Sequence, residues 1–170
     1  MGLTRFSQDA GNSDDVLSVA VEQVKDPESV VVKIKEHLGE HFEQHYVKRK
    51  NRVYVTVRKE AVRKCAKFIF ESLGARLSTV TCVDKNFRFE LIYHFTFDNT
   101  GLVLNIKCLI PKYEPKVESV SEIIFGANWI EREIKDLFGV EFVGHPNPER
   151  LILSDDWPEN EYPLRRRLIE

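Results

Sequence analysis

His37-Leu38-Gly39-Glu40-His41 has the H-x-x-E-H spacing by which two imidazoles one helical turn apart hold zinc while a glutamate serves as general base. A small zinc metallohydrolase using His37 and His41 is therefore one reading of the chain. It requires an unbroken helix, and Gly39 sits inside the motif. The plainer reading is a helix that stops at Gly39 and runs into a strand. Cys65, Cys82 and Cys108 are odd in number and form no Cys-x-x-Cys pair, so they suggest a reducing compartment and neither a disulfide framework nor a metal ribbon. No glycine-rich phosphate loop and no G-x-S-x-G elbow occurs. The basic runs Lys48-Arg49-Lys50 and Arg165-Arg166-Arg167 sit in no wider basic surface, and the net charge of −2 gives no field to hold nucleic acid.

These residues need elements to carry them. Asp26-Pro27-Glu28 starts a helix that bears Val31, Ile34 and Leu38 and ends at Gly39. Phe42 to Lys48 and Arg52 to Arg58 predict two strands about a polar turn. Val62, Cys65, Ile69 and Leu73 predict a helix closed by Gly74. Leu77 to Val83 predicts a third strand. Phe87 to Phe97 and Leu102 to Pro111 then alternate with period two about Asp98-Asn99-Thr100-Gly101, an antiparallel hairpin with one buried face. A short helix capped by Ser119 or Ser121 and ending near Gly126 is expected next, followed by a helix from Asn128 to Phe138 closed by Gly139.

The expected fold is thus α+β: a mostly antiparallel sheet, helices packed on one face, and an extended Pro-rich C-terminal tail without regular structure. Its divisions are a polar extension over 1–26, an α+β domain over 27–139 and a tail over 140–170. At 170 residues, 42% apolar and 31% charged, the chain can bury a core, and it lacks both a transmembrane stretch and a signal peptide.

The segment from Asn128 onward is the most unusual. On a helical wheel centred on Ile130, Ile134, Leu137 and Phe138 face the core, and Trp129, Arg132, Glu133 and Asp136 share a flank. Glu133 falls beside Leu137 and Trp129, where a carboxylate needs a cation such as Arg150 or one from another protein. Arg132 is within reach of Asp136. Lys135 and Glu131 read as solvent-facing.

Trp129-Ile130-Glu131-Arg132-Glu133-Ile134-Lys135-Asp136-Leu137-Phe138-Gly139 resembles the E-R-E-x-x-D-L-F-G segment of the 30-kDa subunit (the C subunit) of respiratory NADH dehydrogenase, complex I. Gly144-His145-Pro146, Arg150-Leu151-Ile152-Leu153, Asp155-Asp156-Trp157 and Tyr162-Pro163-Leu164-Arg165 continue the likeness, which covers about residues 30 to 168. The family also serves membrane-bound energy-converting [NiFe] hydrogenases. The resemblance implies an accessory subunit with no catalytic residue, no cofactor and no metal. Its partners would be the large [NiFe]-hydrogenase-like subunit and neighbouring iron–sulfur subunits. It would be peripheral on the cytoplasmic side, reach the membrane only through the complex, and bind no nucleic acid. The implied interface is Trp129, Arg132, Glu133, Asp136, Gly144, His145, Pro146, Arg150, Asp155, Asp156, Trp157, Pro163, Leu164 and Arg165. Tyr162 stands where the family usually has His, and the chain stops soon after the match. With few thermolabile residues, these departures tilt the reading toward an archaeal membrane-bound hydrogenase or a related complex, with a NADH:quinone or F420H2 dehydrogenase as the alternative.

Overall fold

Alternating apolar residues build a five-stranded sheet in a computed structural model that describes residues 26–166. The expected N-terminal extension lies outside the described residues, apart from Asp26. Helix α1 (Pro27–Leu38) leads through a 3-10 turn into β1 (Phe42–Arg49) and β2 (Arg52–Val57). A second 3-10 turn (Lys59–Ala61) opens α2 (Val62–Lys67), which ends in a π turn (Phe68–Ser72). Strands β3 (Arg76–Asp84), β4 (Arg88–Phe97) and β5 (Leu102–Pro111) follow, then β6 (Lys116–Glu118), α3 (Ala127–Phe138) and β7 (Glu141–Val143).

The strand order is β1-β2-β5-β4-β3. Every pairing in this sheet is antiparallel except β2 with β5, which run parallel, so the hairpin β1–β2 joins the meander β3–β4–β5 along a long-range seam. The register aligns Val55, Ile106, Tyr93 and Val80 in one row across four strands. These side chains, with Phe89, Leu91, Phe95 and Leu104, are buried together with Val30, Ile34 and Leu38 of α1 and Val62, Cys65 and Ala66 of α2. Full burial of each large apolar side chain contributes about 1.5–3 kcal/mol. The opposite face is polar: Lys107 meets Glu90 at 3.5 Å, and Asn105 bridges His94 at 2.6 Å to the Val53 carbonyl at 2.9 Å. Asn105 thereby pins the parallel seam.

Three sequence expectations are corrected. The stripe from Val62 to Leu73 does not form one α-helix; its second half widens to i→i−5 bonding, with Leu73 N–H donating to the Phe68 carbonyl at 3.1 Å. Residues 119–126 form turns rather than a short helix; the Ser119 hydroxyl donates to the Glu131 carboxylate and accepts the Ser121 N–H at 3.1 Å, closing a turn instead of opening a helix. The segment after Gly139 is not wholly irregular: β7 pairs in parallel with β6, and the chain to Arg166 folds back over α3.

His37 and His41 do not share a helix. α1 ends at Leu38, Gly39 adopts φ +56°, and the His37 ring stacks on Phe68 at 4.1 Å. No group of three or more His, Cys, Asp or Glu that could hold a metal ion occurs among the described residues.

Candidate functional site: helix α3 and the strap that crosses it

Helix α3 is held on two sides. Ala127, Glu131 and Ile134 face the core, and Phe138 meets Phe89 edge-on at 6.0 Å. The core-facing stripe is therefore centred on Glu131, not Ile130. Glu131 is fully buried and Glu133 is exposed, the reverse of the wheel's expectation. A carboxylate tolerates that position because the loop before α3 is built around it. The Ser119 hydroxyl donates to Oε2 at 2.5 Å and the Val120 N–H to Oε1 at 2.8 Å. Ser119 has only one hydroxyl proton, so Ser121 Oγ donates to Ser119 Oγ at 2.6 Å.

His145 closes the cluster, with Nε2 at 3.8 Å from Glu131 Oε2. Asn147 N–H donates to its Nδ1 at 3.1 Å, and its Nε2 faces the Asn128 carbonyl at 3.1 Å. Those two contacts select the neutral tautomer with the proton on Nε2. Burial pushes the Glu131 carboxyl up to about 7, against the opposing pull of Ser119, Val120, Ser121 and Arg63.

The folded chain thus holds the Glu131 proton more tightly than the unfolded chain, where the ordinary value is 4.5. The resulting stability is complete below about pH 4.5 and is lost as pH rises through about 7, a swing of about 3 kcal/mol. Glu131→Gln keeps the shape and removes the titration. Urea unfolding at several pH values should show the wild-type chain losing about that much relative to Glu131→Gln between pH 4.5 and 8. Parallel pH profiles for the two would refute this assignment.

The far side of α3 is covered by the chain after Gly144, here called the strap. Asp136 Oδ2 accepts the N–H groups of Leu151 and Ile152 at 2.8 Å and of Leu153 at 3.3 Å. Arg132 donates to the carbonyls of Glu149 at 2.9 Å and Arg150 at 2.8 Å, and Lys135 donates to that of Pro148. The expected Arg132–Asp136 pair is replaced by this division: the carboxylate takes backbone donors and the cations take backbone carbonyls. Arg150 does not meet Glu133; it donates to the carbonyls of Ser154 and Trp157 at 2.8 and 2.9 Å.

Arg165 ends the strap. Its Nε donates to the Phe138 carbonyl at 2.6 Å, at the negative end of the helix dipole, and its guanidinium lies over the rings of Tyr162 (4.2 Å) and Phe89 (5.3 Å). Gly139 adopts φ +68° directly beneath the Tyr162 ring. Arg166 N–H donates to Asp84 Oδ2 at 2.8 Å.

Four large apolar side chains remain outward. Phe125 and Trp129 are exposed on the first turn of α3 and just before it, and Ile152 and Leu164 are exposed on the strap. Glu133, Pro146, Asp155, Asp156 and Pro163 are exposed too. The Ser154 hydroxyl is the main cause holding the Asp156 carboxyl below its ordinary range. Gly144 turns at φ +78°, and Trp157 Nε1 donates to the Glu161 carbonyl at 3.0 Å. A groove of about 780 Å³ runs between α3, β7 and the strap. The sequence reading did not single out Phe125 and Ile152, which the structure leaves exposed; an aromatic four positions before Trp129 was the available signal. Away from this face, burial pushes the Cys65 and Cys82 thiols up to about 12 and raises Cys108 as well.

The family described as respiratory-chain NADH dehydrogenase, 30 Kd subunit, matches residues 55–168, which include the meander, α3 and the strap. The chain belongs to that family. It is 37% identical over 119 residues to the C subunit of the NADH-quinone oxidoreductase of Geobacter sulfurreducens, covering 67% of this chain and 72% of that one. It is 35% identical over 118 residues to the C subunit of the F(420)H(2) dehydrogenase of Methanosarcina mazei, covering 68% and 74%. Among solved structures it resembles a chain of the membrane-bound sulfane sulfur reductase (MBS), an archaeal respiratory membrane complex. That likeness has a TM-score of 0.71 and 28% identity, and covers 81% of this chain and 82% of the other. The chain is therefore a 30-kDa-type component of a multi-subunit, complex I-like oxidoreductase. No helix among the described residues is long and apolar enough to cross a membrane.

Proposed function

We propose that this 30-kDa-family chain is a non-catalytic scaffold, which holds the large [NiFe]-hydrogenase-like subunit of its complex through α3 and the strap. The observation that carries this reading is how the signature side chains are used. Arg132, Asp136, Arg150 and Arg165 are all engaged within the chain, fixing the strap's shape, while Phe125, Trp129, Ile152 and Leu164 are left outside it. A strap fixed before binding costs less entropy to dock than a free tail. Neighbouring iron–sulfur subunits would meet the same arm, on the cytoplasmic side of the membrane. The 28% identity to a chain of an archaeal respiratory membrane complex favours an archaeal membrane-bound hydrogenase or related complex. The relatives named for NADH-quinone oxidoreductase and F(420)H(2) dehydrogenase support the alternative of a dehydrogenase complex.

The test separates assembly from turnover. Trp129→Asp puts a charge at the centre of the apolar face and should lower the amount of assembled complex at least about tenfold, as loss of an aromatic anchor of about 2 kcal/mol does elsewhere. Activity per assembled complex should stay near normal. Full assembly with abolished turnover would overturn the scaffold reading.

A further inference from the structure

Phe87 and Tyr113 are the two most exposed large apolar side chains among the described residues, at 82% and 88%. They are not scattered. Lys112 N–H donates to the Phe87 carbonyl at 3.2 Å, and Arg88 pairs with Pro111 across the hairpin. The two residues thus flank the open end of the β4–β5 hairpin, at one end of the sheet, with both rings turned to solvent. A groove of about 490 Å³ runs from Val83 to Arg88 and is closed by Arg166.

The charges around these rings are unbalanced. Lys85, Arg88, Lys112 and Arg166 all lie here. Lys85 meets Glu90 at 3.0 Å, and Lys112 pairs with Asp84. The Asp84 side chain is 4% exposed and already holds both Lys112 and the Arg166 N–H, so it has little left for a further cation. Glu114, beside Tyr113, lies 3.9 Å from Lys59. The exposed guanidiniums of Arg88 and Arg166 have no carboxylate partner among the described residues. An exposed aromatic pair beside two unpaired guanidiniums fits a peptide that brings carboxylates to the arginines and apolar contact to the rings.

We propose that the open end of the β4–β5 hairpin, with Phe87, Arg88, Tyr113 and Arg166, is a second docking surface that takes an acidic polypeptide segment of a neighbouring protein in the complex. Charge complementarity selects the acidic segment. The two guanidiniums left unpaired here among the described residues are too few for lasting attachment to anionic lipid, which takes a cluster of several basic residues. Arg166, the last described residue of the strap, anchors here on Asp84, so a partner lying along the strap from α3 would come to this surface. The inference needs only that the chain is part of a multi-subunit complex; it does not depend on which neighbour covers α3.

The test uses the assembled complex. Photoreactive benzoylphenylalanine is placed at position 87, 113 or 129, each in a separate full-length chain, and the crosslinked peptides are sequenced. The expected result is that positions 87 and 113 both link to one segment of another protein of the complex that carries several Asp or Glu. Links only to lipid, or to a segment without carboxylates, would overturn the proposal, as would no link at either position when 129 links. Failure at 129 alone would instead count against the scaffold reading. Charge reversal gives a second readout. Arg88→Glu with Arg166→Glu should lower retention of the chain in the complex at least about threefold at about 0.15 M salt. Arg88→Lys with Arg166→Lys should keep most of it, and the matched reversal Arg49→Glu with Arg52→Glu, at the β1–β2 turn, should leave retention unchanged. Equal losses from the two reversals, or none from the first, would also refute it.

Discussion

Asp136→Ala is expected to free the strap while leaving the sheet folded. One carboxylate oxygen accepts three successive backbone donors, Leu151, Ile152 and Leu153, and the side chain is buried under the segment it holds. Hydrogen bonds to a charged acceptor each contribute about 1.5–3 kcal/mol, and bonds sharing one oxygen do not add fully. The loss should therefore be about 3 kcal/mol, borne by the strap rather than by the core. At about 1.4 kcal/mol per factor of ten, protection of the Leu151 and Ile152 amides from hydrogen exchange should fall on the order of a hundredfold, with β4 and β5 amides unchanged. Limited proteolysis should then cut the variant first between Gly144 and Arg165, a region expected to resist cleavage in the wild-type chain. Asp136→Asn retains one acceptor oxygen and should lose about half as much. Unchanged exchange at Leu151 in the alanine variant would show that the strap is held by something else.

Gly139→Val should have an effect of similar size at the other end of the strap. The position requires φ +68°, which costs a β-branched residue about 1–2 kcal/mol. An added Cβ would also sit 2.6 Å from Tyr162 Cε1, inside any tolerable contact. The ring must move, and with it Arg165, whose guanidinium lies between Tyr162 and Phe89. The summed cost should be about 3–4 kcal/mol, read as a fall in thermal midpoint. Removing the ring separates the two causes. In a Tyr162→Ala background, Gly139→Val should cost only the backbone part, about 1–2 kcal/mol. If it costs the same in both backgrounds, the close approach of Tyr162 has no energetic weight.

Much of this architecture can be read from the sequence because local patterns encode it. Phe87, Phe89, Leu91, Tyr93, Phe95 and Phe97 alternate as one apolar face, and the structure buries all but the first; Phe87 falls just before the strand and stands exposed, a correction of the expected core. Gly39 and Gly139 end their helices with positive φ, as their positions after apolar stripes require. The parallel pairing of β2 with β5 was not legible, since it joins segments about fifty residues apart and leaves no local mark. The face of α3 was misjudged for a different reason. A wheel assigns burial from polarity, but Glu131 is buried by partners on another segment, the Ser119 hydroxyl and the Val120 amide. The strap was hidden similarly: side chains satisfy its backbone groups, so it has neither the period of a helix nor that of a strand. Its motif residues were visible as a family signature, but their use inside the chain could be seen only in three dimensions.

The parallel seam also has a consequence for how the chain is made. Emerging from a ribosome, β1 and β2 can close at once into a hairpin, but the strand that completes the β2 edge is β5, and Val53 must wait for Leu104. At about 5–20 residues per second, the row of unpaired amides and carbonyls on β2 stays open for several seconds. During that interval Val53, Val55 and Val57 have no sheet to join. The meander β3–β4–β5 is assembled from neighbouring strands and can form as soon as it is complete. The nascent chain is thus most open to wrong strand pairing before residue 104 appears, well before α3 and the strap exist to be misplaced.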